Sequence, residues 1–589
     1  MTSVQLSAGP LLTDHLRYWA DDHGHQRAFT FVDFPEPASA GLHRTLGWRA
    51  LDARARAVAD RLTRVAGPGD RAALLLPQGL DYVAGFLGCL YAGVIAVPLF
   101  SPRLPGHDGR LAGIVEDCEP ACLLTDTATA PAVEDFAAAR GLPRPPVLRL
   151  DRAEEPVAAA TVHWARPAPD DIAYLQYTSG STRNPAGVMI SHANVVANAR
   201  QANAAVSAGA GASTAVGWLP LFHDMGLVLS IAAPVVGGYP SVLMDPVAFL
   251  AEPARWPRLL GSYPGTISAA PNFAYDYTVS GAARAPLDGV RLERVKVLLN
   301  GSEPVRPGTL DRFRDAFAEL GLAPEALSPA YGLAEATVFV SADSPRTPHT
   351  TVDCDPEALA AGRIAPPAAP DRPSTRLVAC GTPVGQEVCI ADPVTGARRA
   401  PGEVGEILLR GPNVGLGYWK RSGRSAEVFG VPIPGAGDGW LRTGDLGALH
   451  QGRLLVTGRL KDLIIVDGRN HYPQDIEETV QSAVALLRPD RLTAFCVPEP
   501  AAAGERLVVV AELRREARPG VPEVSEAVRT ARAAVSSGHG LHLSELLLTP
   551  PGSVPRTTSG KVSRAACRAR FLSGEFARNA APAGAEGAR

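Results

Sequence analysis

The chain has 589 residues, of which 46% are apolar and 20% are charged. This length exceeds what one compact core supports, and it predicts two to four folding units in a globular protein. The formal net charge of -3 gives no indication of nucleic acid or of an anionic membrane surface as a partner. The eight cysteines form no CxxC pair and no zinc-like set with histidine, which favours reduced thiols in a cytoplasmic protein.

The first two-thirds of the chain alternates helical patterns with short runs that are typical of buried strands. Helical periodicity marks residues 53–66 and 80–92, and the apolar runs 71–75 and 94–98 follow them. This alternation predicts an α/β fold, with layered and largely parallel sheets in a large N-terminal domain.

Two uncharged stretches, residues 82–100 and 225–244, approach the minimum length of a membrane span. Each contains several glycines and at least one proline, and no cluster of Lys or Arg flanks them. We therefore expect a buried helix that runs into a buried strand at both places, and no transmembrane segment. The N-terminus lacks the basic and apolar regions of a secretion signal.

A polar loop follows the apolar strand predicted at residues 172–177. It contains Thr178, Ser179, Gly180, Ser181 and Thr182. Small hydroxylated residues around a glycine expose backbone N–H groups, which suit phosphate oxygens. The run is not a Walker loop, because Ala-Gly stands where that motif has Gly-Lys. A loop of this kind on its own is more often an ordinary turn.

Three further segments of the N-terminal part combine polar side chains with strand ends. His223 and Asp224 interrupt an apolar run, and Asn-Gly-Ser-Glu-Pro at 300–304 follows a predicted strand. Glu335 stands among small residues after Tyr331 and suits a hard cation such as magnesium. Each segment alone also fits a hydrogen-bonded turn or a solvated acid.

The composition and the pattern of predicted elements change in the last third of the chain. A surface insertion rich in Ala and Pro is expected at about 352–374, and short β-runs predict a small β-rich subdomain at about 375–458, which ends the N-terminal domain of residues 1–458. An α+β domain of residues 459–572 follows. The last residues, 573–589, are rich in Ala and Gly and are expected to be disordered.

Two charged segments in this last third favour a nucleotide site. Asp445 lies in a Gly-bounded turn and suits two ribose hydroxyls, with Arg459 as a cation on the same side. Lys561 follows the run Thr-Thr-Ser-Gly, and lysine occurs at only three other positions, Lys296, Lys420 and Lys461. A solvated charge in a turn is the alternative for each segment.

Seven such segments in this order resemble the adenylate-forming superfamily of acyl-CoA ligases, luciferases and nonribosomal-peptide adenylation domains, over residues 48–572. The resemblance implies ATP and Mg²⁺ as cofactors. It also implies a set of residues that bind ATP or AMP: Thr178, Ser179, Gly180, Ser181 and Thr182 at the β- and γ-phosphates; Ser302, Glu303, Pro304, Tyr331 and Gly332 at adenine; Asp445 and Arg459 at the ribose.

The resemblance further implies three catalytic residues, Lys561, His223 and Glu335. Lys561 reaches the substrate carboxylate and the α-phosphate, His223 lies at the mouth of the acyl pocket, and Glu335 binds magnesium with Thr178 nearby. It also implies a mobile C-terminal domain that swings about a hinge at Lys461.

Within the superfamily the chain resembles the fatty acyl-AMP ligases. Ala186 takes the place of the loop lysine found in most members, and Gly-Arg-Asn-His-Tyr-Pro stands at 468–473. The resemblance implies that a fatty acid is converted to acyl-AMP and passed to a separate holo acyl carrier protein. A fatty acyl-CoA ligase and a degenerate adenylate-binding regulatory protein are the alternatives. An apolar tunnel for the acyl chain is expected through residues 218–244.

Overall fold

The computed structural model describes residues 9–36, 39–104, 107–141, 145–151, 166–178, 185–372, 374–466, 469–499, 505–557 and 560–576. Two large sheets with flanking helices form the first two-thirds of the molecule, a small antiparallel sheet follows, and a separate unit ends the chain. The predicted α/β class with layered, largely parallel sheets is confirmed.

The first large sheet has nine strands, and its six central strands are parallel. In spatial order the strands are Thr382–Pro383, Phe339–Ala342, Leu327–Gly332, Val295–Gly301, Thr266–Pro271, Thr214–Gly217, Ser241–Met244, Arg27–Asp33 and Leu42–Gly47. The carboxyl ends of parallel strands meet at one sheet edge, which is where ligands bind in open α/β sheets.

The second large sheet has seven strands, of which five are parallel. In spatial order they are Gly417–Tyr418, Gly187–Ser191, Ile172–Tyr177, Ile95–Pro98, Arg71–Leu74, Cys122–Thr125 and Val147–Arg149. These strands read as continuous apolar runs because helices cover both faces of the sheet.

Helices surround and separate the two sheets, and one large core runs between them. Those of the N-terminal part are Leu12–Asp22, Trp48–Leu62, Leu80–Ala92, Asp108–Cys118, Ala130–Ala139, His192–Ala205, Asp224–Leu227, Ala233–Gly237, Pro246–Ala251, Arg255–Ser262, Asn272–Ala282, Pro307–Phe317, Pro356–Ala360 and Ser422–Val428. The helix expected at 53–66 begins and ends several residues earlier, because Trp48 and Leu51 also belong to its buried face.

The two uncharged stretches have the expected helix-to-strand structure. Leu80–Ala92 runs into the strand Ile95–Pro98. The second stretch is helical from Asp224 to Gly237, with a π-helical turn at Val228–Ala232, and continues into Ser241–Met244. In the described part of the chain, no helix has both the length and the apolar character that crossing a membrane requires.

A five-stranded antiparallel sheet follows the two large sheets. Its strands are Glu387–Ala391, Gly405–Arg410, Gly437–His450, Val431–Ile433 and Arg453–Arg459. The described residues of the segment expected to be an insertion at 352–374 include regular structure. The segment contains most of the strand Thr351–Cys354, which pairs with Thr375–Val378, and the helix Pro356–Ala360. Leu359 is buried there in a small apolar cluster, so the segment packs on the molecule rather than forming a plain surface loop.

The C-terminal unit (residues 460–576) has its own sheets and cores. Its strands are Ile464–Val466, Arg469–His471, Leu487–Pro498, Glu505–Leu513 and Leu543–Thr549, and its helices are Pro473–Ala483, Val521–His539 and Arg564–Leu572. The tail was expected to be disordered from Ser573, and this is wrong for its first residues. Phe576 is 4% exposed and packs in a core cluster with Phe495 and Cys567.

Candidate active site

The predicted phosphate loop (residues 178–182) starts at the carboxyl end of a central strand, Ile172–Tyr177. The Arg110 guanidinium donates to the Thr178 carbonyl oxygen at 2.6 Å, which holds the first residue of the loop. Ser179, Gly180, Ser181 and Thr182 lie outside the described residues. Gly187 faces the Tyr177 ring, and a Cβ there would come within 3.0 Å of it, so this position favours glycine.

Two parallel neighbouring strands bring the adenine candidates together. Val295–Gly301 pairs with Leu327–Gly332, so the segments that follow them meet at the same sheet edge. Ser302 has a φ of 72°, in the left-handed region, where a residue other than glycine is strained. The exposed Pro304 follows Glu303, whose carboxylate accepts from the Phe273 backbone N–H at 2.6 Å.

Gly332 ends the strand Leu327–Gly332, at a point where the backbone of Val338 approaches closely. A Cβ at Gly332 would lie 1.8 Å from the carbonyl oxygen of Val338. The position therefore requires glycine for close backbone approach, which is a structural reason beside the predicted nucleotide contact.

Asp445 is the centre of a buried polar group. It is 5% exposed, and its two carboxylate oxygens bond different partners. The Tyr331 hydroxyl donates to one at 2.8 Å, and the Arg459 guanidinium lies 2.9 Å from the other. Burial and then the Asp445 charge raise the pKa of Tyr331, and Asp445 raises the pKa of Arg459. The sequence indicated the Asp445–Arg459 proximity, but not the Tyr331 hydrogen bond.

Glu335, the predicted magnesium ligand, lies in the short 3-10 helix Ala334–Ala336. Its carboxylate accepts a hydrogen bond from the Tyr418 hydroxyl at 2.8 Å. Sequence reasoning missed Tyr418, because 83 residues separate the two positions and no motif links them. Among the described residues, no group of three or more His, Cys, Asp or Glu side chains is arranged to hold a metal ion. A single carboxylate nevertheless fits Mg²⁺, which takes its remaining ligands from substrate phosphates and water.

His223 and Asp224 form a close pair, with Nδ1 and Oδ1 2.5 Å apart. Asp224 also accepts from the Met225 backbone N–H at 2.7 Å. Burial alone would raise the pKa of Asp224, but the pair with His223 and the charge of Lys561 together hold it below its usual value. The Gln176 amide donates to the Phe222 carbonyl at 3.0 Å, which ties this turn to the strand before the phosphate loop.

Lys561 reaches the N-terminal part from a turn of the C-terminal unit, where the Thr557 N–H donates to its carbonyl oxygen at 2.8 Å. Burial lowers the pKa of the Lys561 ammonium, while the charges of Asp224, Glu303 and Asp445 oppose that change. Residues from four separate segments therefore share one electrostatic environment. Lys461 is exposed, in the 3-10 helix Leu460–Asp462 that follows the last strand of the antiparallel sheet.

An ion pair helps to hold this arrangement of the two parts. The Arg306 guanidinium lies 2.5 Å from the Asp490 carboxylate, and both side chains are 18% exposed. Burial would lower the pKa of Arg306, but Asp490 is the leading group that keeps it raised. The contact joins the segment after the adenine candidates to the C-terminal unit.

The stretch expected to form an apolar tunnel borders a small internal cavity of about 20 Å³. The cavity lies between the helix His192–Ala205 and the nine-stranded sheet, and its lining from the expected stretch comprises Leu219, Leu229, Ser230, Ala233 and Tyr239. It has room for about one water molecule.

The comparisons with known proteins agree with this architecture. The AMP-binding enzyme family matches residues 16–419, and the AMP domain of Disco-interacting protein 2-like proteins matches residues 461–580. The chain is 42% identical over 576 residues to the long-chain-fatty-acid–AMP ligase FadD26 of Mycobacterium marinum, with 96% of this chain and 97% of that protein covered.

Two further similarities extend over the whole length. The long-chain-fatty-acid–AMP ligase FadD32 of Mycolicibacterium smegmatis is 40% identical over 612 residues, with 97% of this chain and 96% of that protein covered. A solved structure from a study of fatty acyl-adenylate ligases of E. coli and L. pneumophila has a TM-score of 0.84 and 31% identity, and it covers 97% of this chain and 98% of that one. The chain therefore belongs to the AMP-binding enzyme family, in its branch of fatty acyl-AMP ligases.

Proposed function

We propose that the protein activates a medium- or long-chain fatty acid as acyl-AMP at the expense of ATP, with release of pyrophosphate. The observation that carries the proposal is the position of Lys561, half-buried at the junction of the two parts, where the charges of Asp224, Glu303 and Asp445 act on it. The relatives named as long-chain-fatty-acid–AMP ligases support the reaction class and the substrate.

The reaction requires an anion to attack a polyanion. A fatty acid has a pKa near about 4–5 and is already ionised at neutral pH, so no general base is needed. In this proposal the Lys561 ammonium neutralises charge that develops between the carboxylate and the α-phosphate. Glu335, with Thr178 nearby, would hold Mg²⁺, which would supply further positive charge at the phosphates.

The other predicted residues fit the binding of ATP. We assign the binding of the ribose hydroxyls to Asp445. Tyr331 and Arg459 hold the Asp445 carboxylate in place. The adenine lies between the Ser302–Pro304 backbone and Tyr331–Gly332, and the β- and γ-phosphates lie on residues 178–182. His223 stands beside the substrate carboxylate, and the acyl chain extends toward the apolar stretch 218–244.

We further propose that the acyl group leaves to a separate holo acyl carrier protein in the cytoplasm. In this proposal residues 459–572 rotate as a mobile domain about Lys461 between the two half-reactions, relative to residues 1–458. The exposure of Lys461, directly after the last strand of the antiparallel sheet, suits a hinge.

Mass spectrometry of the products from a mixed fatty-acid pool tests the proposal. With ATP and Mg²⁺ we expect acyl-AMP and pyrophosphate, and then acyl transfer to a holo carrier protein but not to CoA. Rapid formation of acyl-CoA would instead establish an acyl-CoA ligase. The absence of any acyl-AMP would favour an adenylate-binding regulatory protein.

A further inference from the structure

A second cationic site lies on the C-terminal unit, apart from Lys561. It is a concave pocket of about 390 Å³, which we call the arginine pocket, lined by Arg488, Arg515, Arg518, Pro551, Gly552 and Arg556. The sheet topology gathers these residues. The strand that begins at Leu487 pairs with the end of Glu505–Leu513, and that end lies beside the end of Leu543–Thr549.

Two acidic groups of this region, Glu512 and Asp490, already have partners. The two oxygens of Glu512 bond the Arg488 guanidinium at 2.9 Å and the Val554 backbone N–H at 3.1 Å. Asp490 pairs with Arg306 in the N-terminal part. Within the described residues, Arg515, Arg518 and Arg556 have no ion pair, so the pocket keeps an excess of positive charge.

The excess of positive charge affects the pKa of a neighbouring half-buried arginine, Arg491. Burial lowers its pKa first, and the charges of Arg556 and Arg488 lower it further, while those of Glu512 and Asp490 oppose the change. Like charges gathered at a partly buried surface repel one another, and the repulsion is relieved when an anion binds between them. Arginine suits phosphate in particular, because its planar fork donates two parallel hydrogen bonds.

Two features connect the arginine pocket to the adenylation site: a short stretch of the chain and a series of positive charges. Arg556 forms an antiparallel bridge with Val562, so it lies at the base of the turn that carries Lys561. The Arg556 charge also contributes to a lowered pKa of His107, after burial and Arg110. Arg110 in turn holds the Thr178 carbonyl, so positive charge extends from the predicted phosphate loop toward the pocket.

We propose that the arginine pocket binds a pyrophosphate group, and that pyrophosphate leaving the adenylation site is its natural occupant. The inference of an anion site depends on the arginines that line the pocket, whereas the choice of occupant rests on the proposed function. CoA carries the same chemical group and is the alternative source.

Calorimetric titration of the full chain with inorganic pyrophosphate at low ionic strength tests this site. The variant Arg515→Gln with Arg518→Gln removes two exposed arginines and spares Arg488, whose loss would leave Glu512 buried and unpaired. We expect this variant to lose one pyrophosphate site, or to bind pyrophosphate there at least tenfold more weakly. The matched control, Arg398→Gln with Arg529→Gln, also removes two exposed arginines and keeps the site.

Unchanged pyrophosphate binding in the Arg515→Gln and Arg518→Gln variant, at an unchanged melting temperature, would overturn the proposal. A parallel titration with CoA distinguishes the sources. If CoA binds more tightly than pyrophosphate and depends on the same two arginines, CoA is the occupant and the site is retained. Because binding is measured without turnover, failure of acyl-AMP formation would not be confused with failure of the pocket.

Discussion

Lysine stands at four positions of this chain, and their environments differ sharply. Lys420 pairs with Glu119 at the surface, Lys296 donates to the Ser207 carbonyl, and Lys461 is exposed. Lys561 alone of the four is placed among several carboxylates of another part of the molecule. A half-buried ammonium that faces acids is already positioned to stabilise negative charge that develops in a reaction.

Replacing Lys561 by alanine should nearly abolish adenylation and leave ATP binding intact. Loss of one preorganised charge typically lowers the rate by about 10²–10³-fold. ATP–pyrophosphate exchange measures the rate, and equilibrium titration measures ATP affinity. Lys420→Ala is the control and should exchange normally. Near-normal exchange in Lys561→Ala would refute the catalytic role.

Replacing Asp445 by asparagine should raise the KM for ATP more than it lowers kcat. The change removes the charge that pairs with Arg459 and one of the two acceptor oxygens assigned to the ribose. A hydrogen bond to a charged group contributes about 1.5–3 kcal/mol, which corresponds to about 10- to 100-fold in affinity. Asp438→Asn, an exposed position of the same strand, is the control. Equal KM values in both variants would argue against the ribose contact.

At the scale of single elements, the helix Pro473–Ala483 carries an unusual acid. Burial, with the charges of Glu478 and Glu477, raises the pKa of Asp475 to about 7, although Arg306 opposes this. In unfolded chains aspartate has a pKa near about 3.9. The folded protein therefore keeps a proton that the unfolded chain has lost, and stability falls as pH rises from about 4 to about 7.

Asp475→Asn should consequently stabilise the protein more at pH 8 than at pH 5, because the amide is neutral at both. The melting temperature of wild type and variant at the two pH values measures the effect. Glu523→Gln, an exposed first-turn acid of the helix Val521–His539, should change the melting temperature equally at both. A pH-independent gain in Asp475→Asn would show that this carboxyl group titrates normally.

At the scale of the whole molecule, the ion pair Arg306–Asp490 joins the C-terminal unit to the N-terminal part. We expect Asp490→Asn to slow acyl-AMP formation by roughly tenfold. A partly buried pair contributes on the order of 1–2 kcal/mol, between the values of exposed and buried pairs. The second half-reaction, started from preformed acyl-AMP, should be little affected, because in the proposed mechanism it uses another orientation of the C-terminal unit.

The control for this variant is Glu545→Gln, which removes the pair with Arg506 inside the C-terminal unit. It should leave both half-reactions unchanged. If Asp490→Asn slows both half-reactions equally, the pair supports general stability rather than the orientation for adenylation.

The sequence by itself determined the class of fold and most of the elements that surround the site. The helix at 80–92 and the strand at 172–177 agree with their expected limits, because local periodicity and flanking turns define them. Motif order also predicted Asp445, Arg459 and Lys561 as members of one nucleotide site.

Only the tertiary structure decided which side chains hold one another in place. Tyr331 meets Asp445 across 114 residues, and Tyr418 meets Glu335 across 83. The arginine pocket likewise depends on how three strands are ordered in a sheet. Such contacts depend on strand order and on the packing of one unit against another, and local sequence rules contain no information on either.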